Sequence, residues 1–168
     1  HAGSVASTIK PTSGGGGSDT PGIQDAITDN EIFGNHSLGI DLGPAGITQN
    51  DNQDPDSGPN NLQNFPVLTN YSLANAVSGP EAVDTTLTVN ATLNSTPNTA
   101  FTVHWYFSND AVCSNNQSGS RPLVTGRIPG LTTDANGNVP FNFPFTFPLG
   151  ITNGIINCTA TDSDGNTS

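Results

Sequence analysis

The sequence is poor in positive charge. Of its 168 residues only Lys10, Arg121 and Arg127 are basic, against 14 acidic residues, and the net charge is −11. A protein that binds nucleic acid needs a basic surface to neutralise phosphates, and an anionic membrane surface would repel this chain. No run of about 18 apolar residues occurs, so no transmembrane helix is predicted. The sequence therefore predicts neither nucleic-acid binding nor membrane insertion.

Methionine is absent, including an initiator, which fits a processed or excised chain. Charged residues make up only 10%, and the polar surface comes from Ser, Thr and 21 asparagines. Such a composition is typical of extracellular or cell-surface proteins that are glycosylated or pack side by side. Since disulfides form in that setting, Cys113 and Cys158 are predicted to be bonded. Closing a loop of about 45 residues contributes roughly 3–4 kcal/mol in the chain-entropy model.

Apolar and polar residues alternate over much of residues 64–168. Period-2 alternation with one apolar face predicts half-buried antiparallel strands, and Gly and Asn turns at short intervals favour a sandwich. Six strands are predicted, where a minimal immunoglobulin-like sandwich has about seven. They start near Phe65 and include a weak strand at 123–128, a Phe-rich run over 139–147 and a last strand over 156–160. The predicted fold is all-β: an Ig-like antiparallel β-sandwich with one strand missing.

The Phe-rich run carries Pro140, Pro144 and Pro148 on its polar face. Proline has no N–H to donate to a ladder, so this run is predicted to be an edge strand. An edge so rich in phenylalanine favours aggregation unless another segment covers it.

Two segments precede the sandwich. Residues 1–22 are predicted to be either a disordered tail or a strand-donating arm, because the strand-like run 5–9 is followed by the flexible tether 14–18. Residues 23–63 combine a stretch of short apolar pairs divided by Gly and Asn turns, at 23–47, with a polar loop at 48–63. Residues 23–47 are predicted to have little or no helix and to form either β-helix-like rungs or irregular β and coil turns.

Several segments together resemble the tail region of large secreted bacterial surface proteins, in which a right-handed parallel β-helix is followed by an Ig-like β-sandwich. The segments that carry the resemblance are 39–43, 50–51, 58–68, 93–99, 133–138 and 159–168. The resemblance implies an extracellular or cell-surface location and no catalytic residues. Two departures stand out: the long β-helix of the family is absent, and the closing strand that normally follows the Gly-Asn-Thr-Ser turn is missing.

Two loops have Asp-x-Asp spacing followed by glycine, at 54–58 and 162–166. Carboxylate oxygens with a glycine for the turn suit Ca²⁺, but no Glu follows at the distance of a bidentate ligand. Asp54 and Asp56 are the candidate calcium ligands, and an Asx-rich turn is the alternative at both loops.

Other chemistry has little support in the sequence. The three histidines, His1, His36 and His104, lack metal-ligand spacing, and His104 and Tyr106 are predicted on the exposed face of their strand, where Tyr106 could contact a carbohydrate. Polysaccharide cleavage would need more basic residues than this chain has. The chain is therefore not predicted to be an enzyme.

Candidate glycosylation sequons occur at Asn35, Asn70, Asn90, Asn94, Asn116, Asn157 and Asn166.

The missing strand and the spare strand-like run together predict assembly. The sequence predicts an extracellular, pilus-like structural subunit that polymerises with copies of itself. Its N-terminal strand would enter a neighbouring sandwich with Val5, Ser7 and Ile9 pointing inward. The alternative is a monomeric carbohydrate-binding or adhesin module of a larger cell-surface protein.

Overall fold

The protein is described from a computed structural model, which describes residues 22–35, 38–43, 46–75, 85–109, 121–147, 151 and 153–168. Within these ranges the chain forms one 3-10 turn and six β-strands. Their bounds are Pro59–Leu62 for the 3-10 turn, then β1 Val67–Asn75, β2 Thr85–Asn94, β3 Ala100–Ser108, β4 Val124–Thr132, β5 Asn138–Phe147 and β6 Ile155–Asp162.

The strands form two three-stranded antiparallel sheets that pack face to face. One sheet has the order β1-β2-β5 and the other has the order β4-β3-β6. Buried and solvent-facing side chains alternate along β2 and β5, because successive residues of a strand point to opposite faces. The prediction of an all-β antiparallel sandwich is confirmed, and all six predicted strands are present.

Aromatic stacking between β3 and β5 joins the two sheets. The ring of Trp105, the one tryptophan of the chain, lies 5.0 Å from the ring of Phe143 and 4.8 Å from that of Phe145. Phe107 stacks on Phe147 and meets Phe145 in a tilted arrangement, with ring centroids 5.3 Å and 5.2 Å apart. The phenylalanines of the period-2 run thus form one wall of the core, and β3 lies over β5.

The Phe-rich strand is at the edge of its sheet, as predicted. Among the described strands β5 pairs only with β2, and Pro140 and Pro144 are exposed on its outer face. Both prolines are tolerated there because an edge strand bonds to a neighbour on one side only. The phenylalanines point inward, so the opposite sheet covers them.

Residues 22–66 have no strand and no α-helix in their described part, so the prediction of little or no helix is confirmed there, whereas the β-helix-like rungs stay a prediction. The segment is held by side-chain hydrogen bonds rather than by a ladder. The buried Asn60 donates to the carbonyl oxygens of Asp25 at 2.9 Å and Thr167 at 3.1 Å. Ile27 N–H donates to Thr167 Oγ1 at 3.0 Å. One asparagine and one threonine therefore tie this segment to the C-terminal turn.

The prediction that His104 is exposed is wrong. Its side chain does point away from the core, but it is only 5% exposed, because residues 29–31 cross the outer face of the β4-β3-β6 sheet at that position. Alternation along a strand assigns each side chain to one face of the sheet, and the packing of other segments decides whether that face is exposed to solvent. Among the described residues, no helix is long and apolar enough to cross a membrane.

Candidate functional site

The inward face of β1 is not covered. Leu68, Tyr71 and Leu73 pair with residues of β2 that are buried in the core. Directly opposed residues of two paired strands project from the same face of the sheet, so these three side chains point toward the opposite sheet. They are nevertheless 37%, 68% and 57% exposed.

One edge of β6 is open along most of its length. β3 pairs with its other edge. On the open side, the C-terminal residues make an isolated bridge at Thr161, and Ser168 N–H donates to the Ala160 carbonyl at 2.9 Å. Because hydrogen-bonding direction alternates along a strand, the backbone groups of Cys158 and Ile156 face this same edge. No described residue pairs with them.

These two features face one another. β3 stacks on β5 and β4 also approaches β5, and from the order β4-β3-β6 we infer that β6 lies over β2. β1 therefore has no strand opposite it within the described ranges. We call the open β6 edge over 155–160, together with the inward face of β1, the acceptor groove. One additional strand in this groove would extend the β4-β3-β6 sheet and cover β1.

The predicted donor residues Val5, Ser7 and Ile9 lie outside the described residues, and their position in the groove stays a prediction. The exit of the arm is fixed, because Asn60 N–H donates to the Gly22 carbonyl at 2.7 Å. Asn60 also contacts Thr167, so residue 22 lies at the end of the sandwich where the open edge of β6 begins.

A second candidate site is a group of three carboxylates in the loop before β1. One carboxylate oxygen from each of Asp51, Asp54 and Asp56 lies within 4.8 Å of the other two. The Oδ1 atoms of all three are buried without a hydrogen-bond partner. Sequence reasoning named Asp54 and Asp56 and missed Asp51, although the Asp-x-x-Asp-x-Asp spacing could have indicated it.

A buried amide network fixes this loop to the end of β2. Asn64 Nδ2 donates to the carbonyls of Asp51 at 2.7 Å and Asn94 at 2.9 Å. Asp54 Oδ2 accepts from Ser95 Oγ at 2.5 Å, Gln63 Nε2 at 2.8 Å and its own loop's Asn64 N–H at 3.2 Å. Gln63, Asn64 and Ser95 are buried, so the predicted polar loop is an ordered part of the domain.

The electrostatics of the carboxylate group are uncompensated within the described residues. Burial raises the pKa of the Asp54 carboxyl above its ordinary value, and the hydrogen bonds from Ser95 and Asn64 oppose that rise. Burial likewise raises the pKa of Asp56, with a further contribution from the charge of Asp51. Like charges that converge without a cation disfavour their ionised forms.

The three residues fit a hard cation. Ca²⁺ takes oxygen ligands at about 2.3–2.6 Å, so two ligands on opposite sides of one ion are about twice that distance apart, close to the 4.8 Å spread of this group. The second Asp-x-Asp loop is instead a turn. Asp162 Oδ1 accepts from the N–H groups of Asp164 and Asn166, and its Oδ2 accepts from Asn166 Nδ2.

Cys158 is a half-buried free thiol in the structure, and burial raises its pKa to about 12. Its predicted partner, Cys113, lies outside the described residues, so the disulfide stays a prediction.

The candidate glycosylation residues differ in accessibility. Asn70 and Asn157 are exposed, whereas Asn35, Asn90 and Asn94 are half-buried, and Asn116 lies outside the described residues. Asn166 is 1% exposed and its Nδ2 donates to Asp162 at 2.7 Å. A glycan on Asn166 is therefore incompatible with this fold.

No protein-family model matches the sequence, and comparison with curated proteins gives no match. The resemblance to the tails of bacterial surface proteins accordingly stays a prediction.

Proposed function

We propose that this chain is an extracellular structural subunit that assembles with copies of itself by strand donation. The N-terminal strand of one copy enters the acceptor groove of the next. The observation that carries the proposal is the acceptor groove itself: an open strand edge at β6 that faces an uncovered apolar strand face on β1. One added strand would satisfy the first and bury the second.

The groove offers a definite gain in free energy. Fully burying a Leu or Val side chain contributes roughly 1.5–3 kcal/mol. Leu73 and Tyr71 are 57% and 68% exposed, so more than half of that contribution is still available at each. Two apolar donor residues would add their own burial. These contributions favour a strand with apolar side chains on its inward face, such as Val5 and Ile9, with the small Ser7 between them.

The arm is long enough to leave its own domain. The 21 residues that precede Gly22 could span roughly 70 Å if extended, and the glycines at 14–17 allow the chain to change direction. Each copy would donate one strand and accept one, so the contact joins two different surfaces. A contact of this kind propagates into a fibre unless its rotation closes a ring.

A charge placed in the groove tests the proposal. In the variant Leu73→Asp the carboxylate lies where the donor strand would pack, and burying it would be costly. We expect fibres to be replaced by monomers in light scattering and negative-stain images. Ser72→Asp is the matched control, because Ser72 is exposed on the opposite face of the same strand and its variant should still assemble.

A mixing experiment identifies the occupant. Deleting residues 1–12 leaves an acceptor without a donor, whereas Leu73→Asp leaves a donor with a blocked acceptor. Mixed together, the two should form a one-to-one dimer that neither forms alone. If the arm instead enters its own groove, the native chain stays monomeric, even if the two variants form a dimer when mixed. That result would refute assembly and favour the monomeric adhesin or carbohydrate-binding alternative.

A further inference from the structure

A polar cavity lies on the outer face of the β4-β3-β6 sheet, away from the acceptor groove. Its volume is about 210 Å³. The loop that crosses the sheet forms one wall and strands β3 and β4 form the floor. The lining residues are Asp29, Asn30, Glu31, His104, Tyr106, Thr125, Gly126 and Arg127.

The floor of the cavity contains an unsatisfied buried imidazole. His104 is 5% exposed, and neither ring nitrogen has a hydrogen-bond partner in the described chain. Its Nε2 lies 3.5 Å from Asp29 Oδ1, too far for a hydrogen bond, and Asp29 itself is largely exposed. Buried polar side chains almost always have partners, so a histidine that lines a cavity without one indicates a ligand that supplies it.

Other hydrogen-bonding groups around the imidazole are also available. Arg127 and the hydroxyl of Tyr106 make no hydrogen bond or ion pair within the described ranges, and both can donate. Asp29 and Glu31 offer carboxylate acceptors. Glu31 is held in place by Arg121, whose Nε donates to Glu31 Oε2 at 2.7 Å. Donors and acceptors therefore both line one small space.

We propose that this cavity binds a single neutral sugar ring, such as the terminal hexopyranose of a glycan. Each sugar hydroxyl both donates and accepts, which matches the mixture of carboxylate, guanidinium, imidazole and phenol groups. Two carboxylates against one unpaired arginine disfavour an anionic ligand. The half-buried ring of Tyr106 supplies an apolar surface for the C–H face of the sugar. The volume is below the roughly 300–1,000 Å³ of pockets for drug-sized ligands, which favours one ring over a longer chain.

The test is ligand-observed NMR with saturation transfer from the full-length protein. The probes are the methyl glycosides of glucose, galactose and mannose, with glycerol and glucuronate as non-matching probes. At least one neutral glycoside should bind with a Kd of roughly 10 mM or tighter, while glycerol and glucuronate should not. Binding of none of the three neutral glycosides would overturn the proposal.

Variants test whether the cavity is the site. Arg127→Ala removes an exposed side chain that makes no hydrogen bond or ion pair within the described residues, so the fold should be kept and affinity should fall about tenfold or more. Ser72→Asp is the charge-matched control, because it also lowers the net charge by one but lies on β1 of the other sheet, and it should change affinity less than about twofold. Equal losses in both variants would show a general charge effect and overturn the assignment. This test is independent of strand donation, since neither Arg127 nor Ser72 faces the acceptor groove.

Discussion

We expect two replacements of Asp54 to separate the contribution of its hydrogen bonds from the contribution of its charge to the stability of the loop before β1. Its Oδ2 accepts three hydrogen bonds, from Ser95, Gln63 and Asn64. Its Oδ1 is buried without a partner beside Asp51 and Asp56. Asp54→Ala removes all three hydrogen bonds, whereas Asp54→Asn keeps an oxygen that can accept them and removes only the charge.

The expected magnitudes differ accordingly. A buried donor left without an acceptor costs about 1–3 kcal/mol. Alanine leaves the Ser95 hydroxyl and the Asn64 N–H without Asp54, whereas Gln63 Nε2 still donates to the Asn64 carbonyl at 3.2 Å and to Ser95 Oγ at 2.8 Å. Relief of repulsion between the carboxylates offsets part of this cost, so we expect a loss of about 2 kcal/mol. Asparagine should be neutral or slightly stabilising, because its Nδ2 can donate to the neighbouring carboxylates.

The assay is urea unfolding followed by the fluorescence of Trp105, the one tryptophan, which is buried against β5. The measurements are made in EDTA, so that no divalent cation contributes. They use the Leu73→Asp chain as background, which we expect to be monomeric. If alanine and asparagine at position 54 differ by less than about 0.5 kcal/mol in the free energy of unfolding, the hydrogen bonds of Asp54 do not stabilise this loop and the reasoning is wrong.

Three further outcomes are expected. Calcium at a hundred times its Kd should stabilise the native chain by about 2.7 kcal/mol, and Asp54→Asn should abolish that gain in calorimetric titration; an unchanged unfolding midpoint with calcium would contradict a cation site. Without calcium, lowering the pH from about 7 to about 4 should stabilise the native chain relative to Asp54→Asn, because a carboxyl whose folded pKa is raised binds its proton more tightly in the folded state. Urea midpoints of both chains across this range check the sign. A stability difference in favour of Asp54→Asn that grows as the pH falls would contradict it. Gly126→Ala should cost about 1–3 kcal/mol, because its Cβ would lie 2.6 Å from Cε2 of Trp105, and a native-like urea midpoint would refute that contact.

The sandwich could be predicted from the sequence because its information is local. Alternation in β2, β3 and β5 identifies strands and assigns each side chain to a face without knowledge of any partner. Proline at positions 140 and 144 indicates an edge in the same way, since a missing N–H is a property of the residue itself. The weak strand near 123–128 was also found, although its exposed edge position gives it little apolar signal.

The candidate sites were predicted less completely, because they depend on contacts between distant residues. The spacing of Asp54 and Asp56 indicated a cation loop, but the contribution of Asp51 depends on how Asn64 and Asn94 fold that loop. The cavity at His104 was missed because residues 29–31 reach it from about 75 positions away, and no periodicity in β3 indicates that cover.

The sequence by itself determined the strands, their inward faces and the edge position of β5, since each follows from side-chain alternation and backbone chemistry within a few residues. Only the tertiary structure decided which strand faces which. It placed β3 over β5 and β6 over β2, and so left the inward face of β1 opposite an open edge. It also brought Asn60 and Thr167 together and closed a loop over His104. The physical reason is that burial and hydrogen-bond satisfaction are properties of the whole packed chain, whereas alternation is a property of each strand alone.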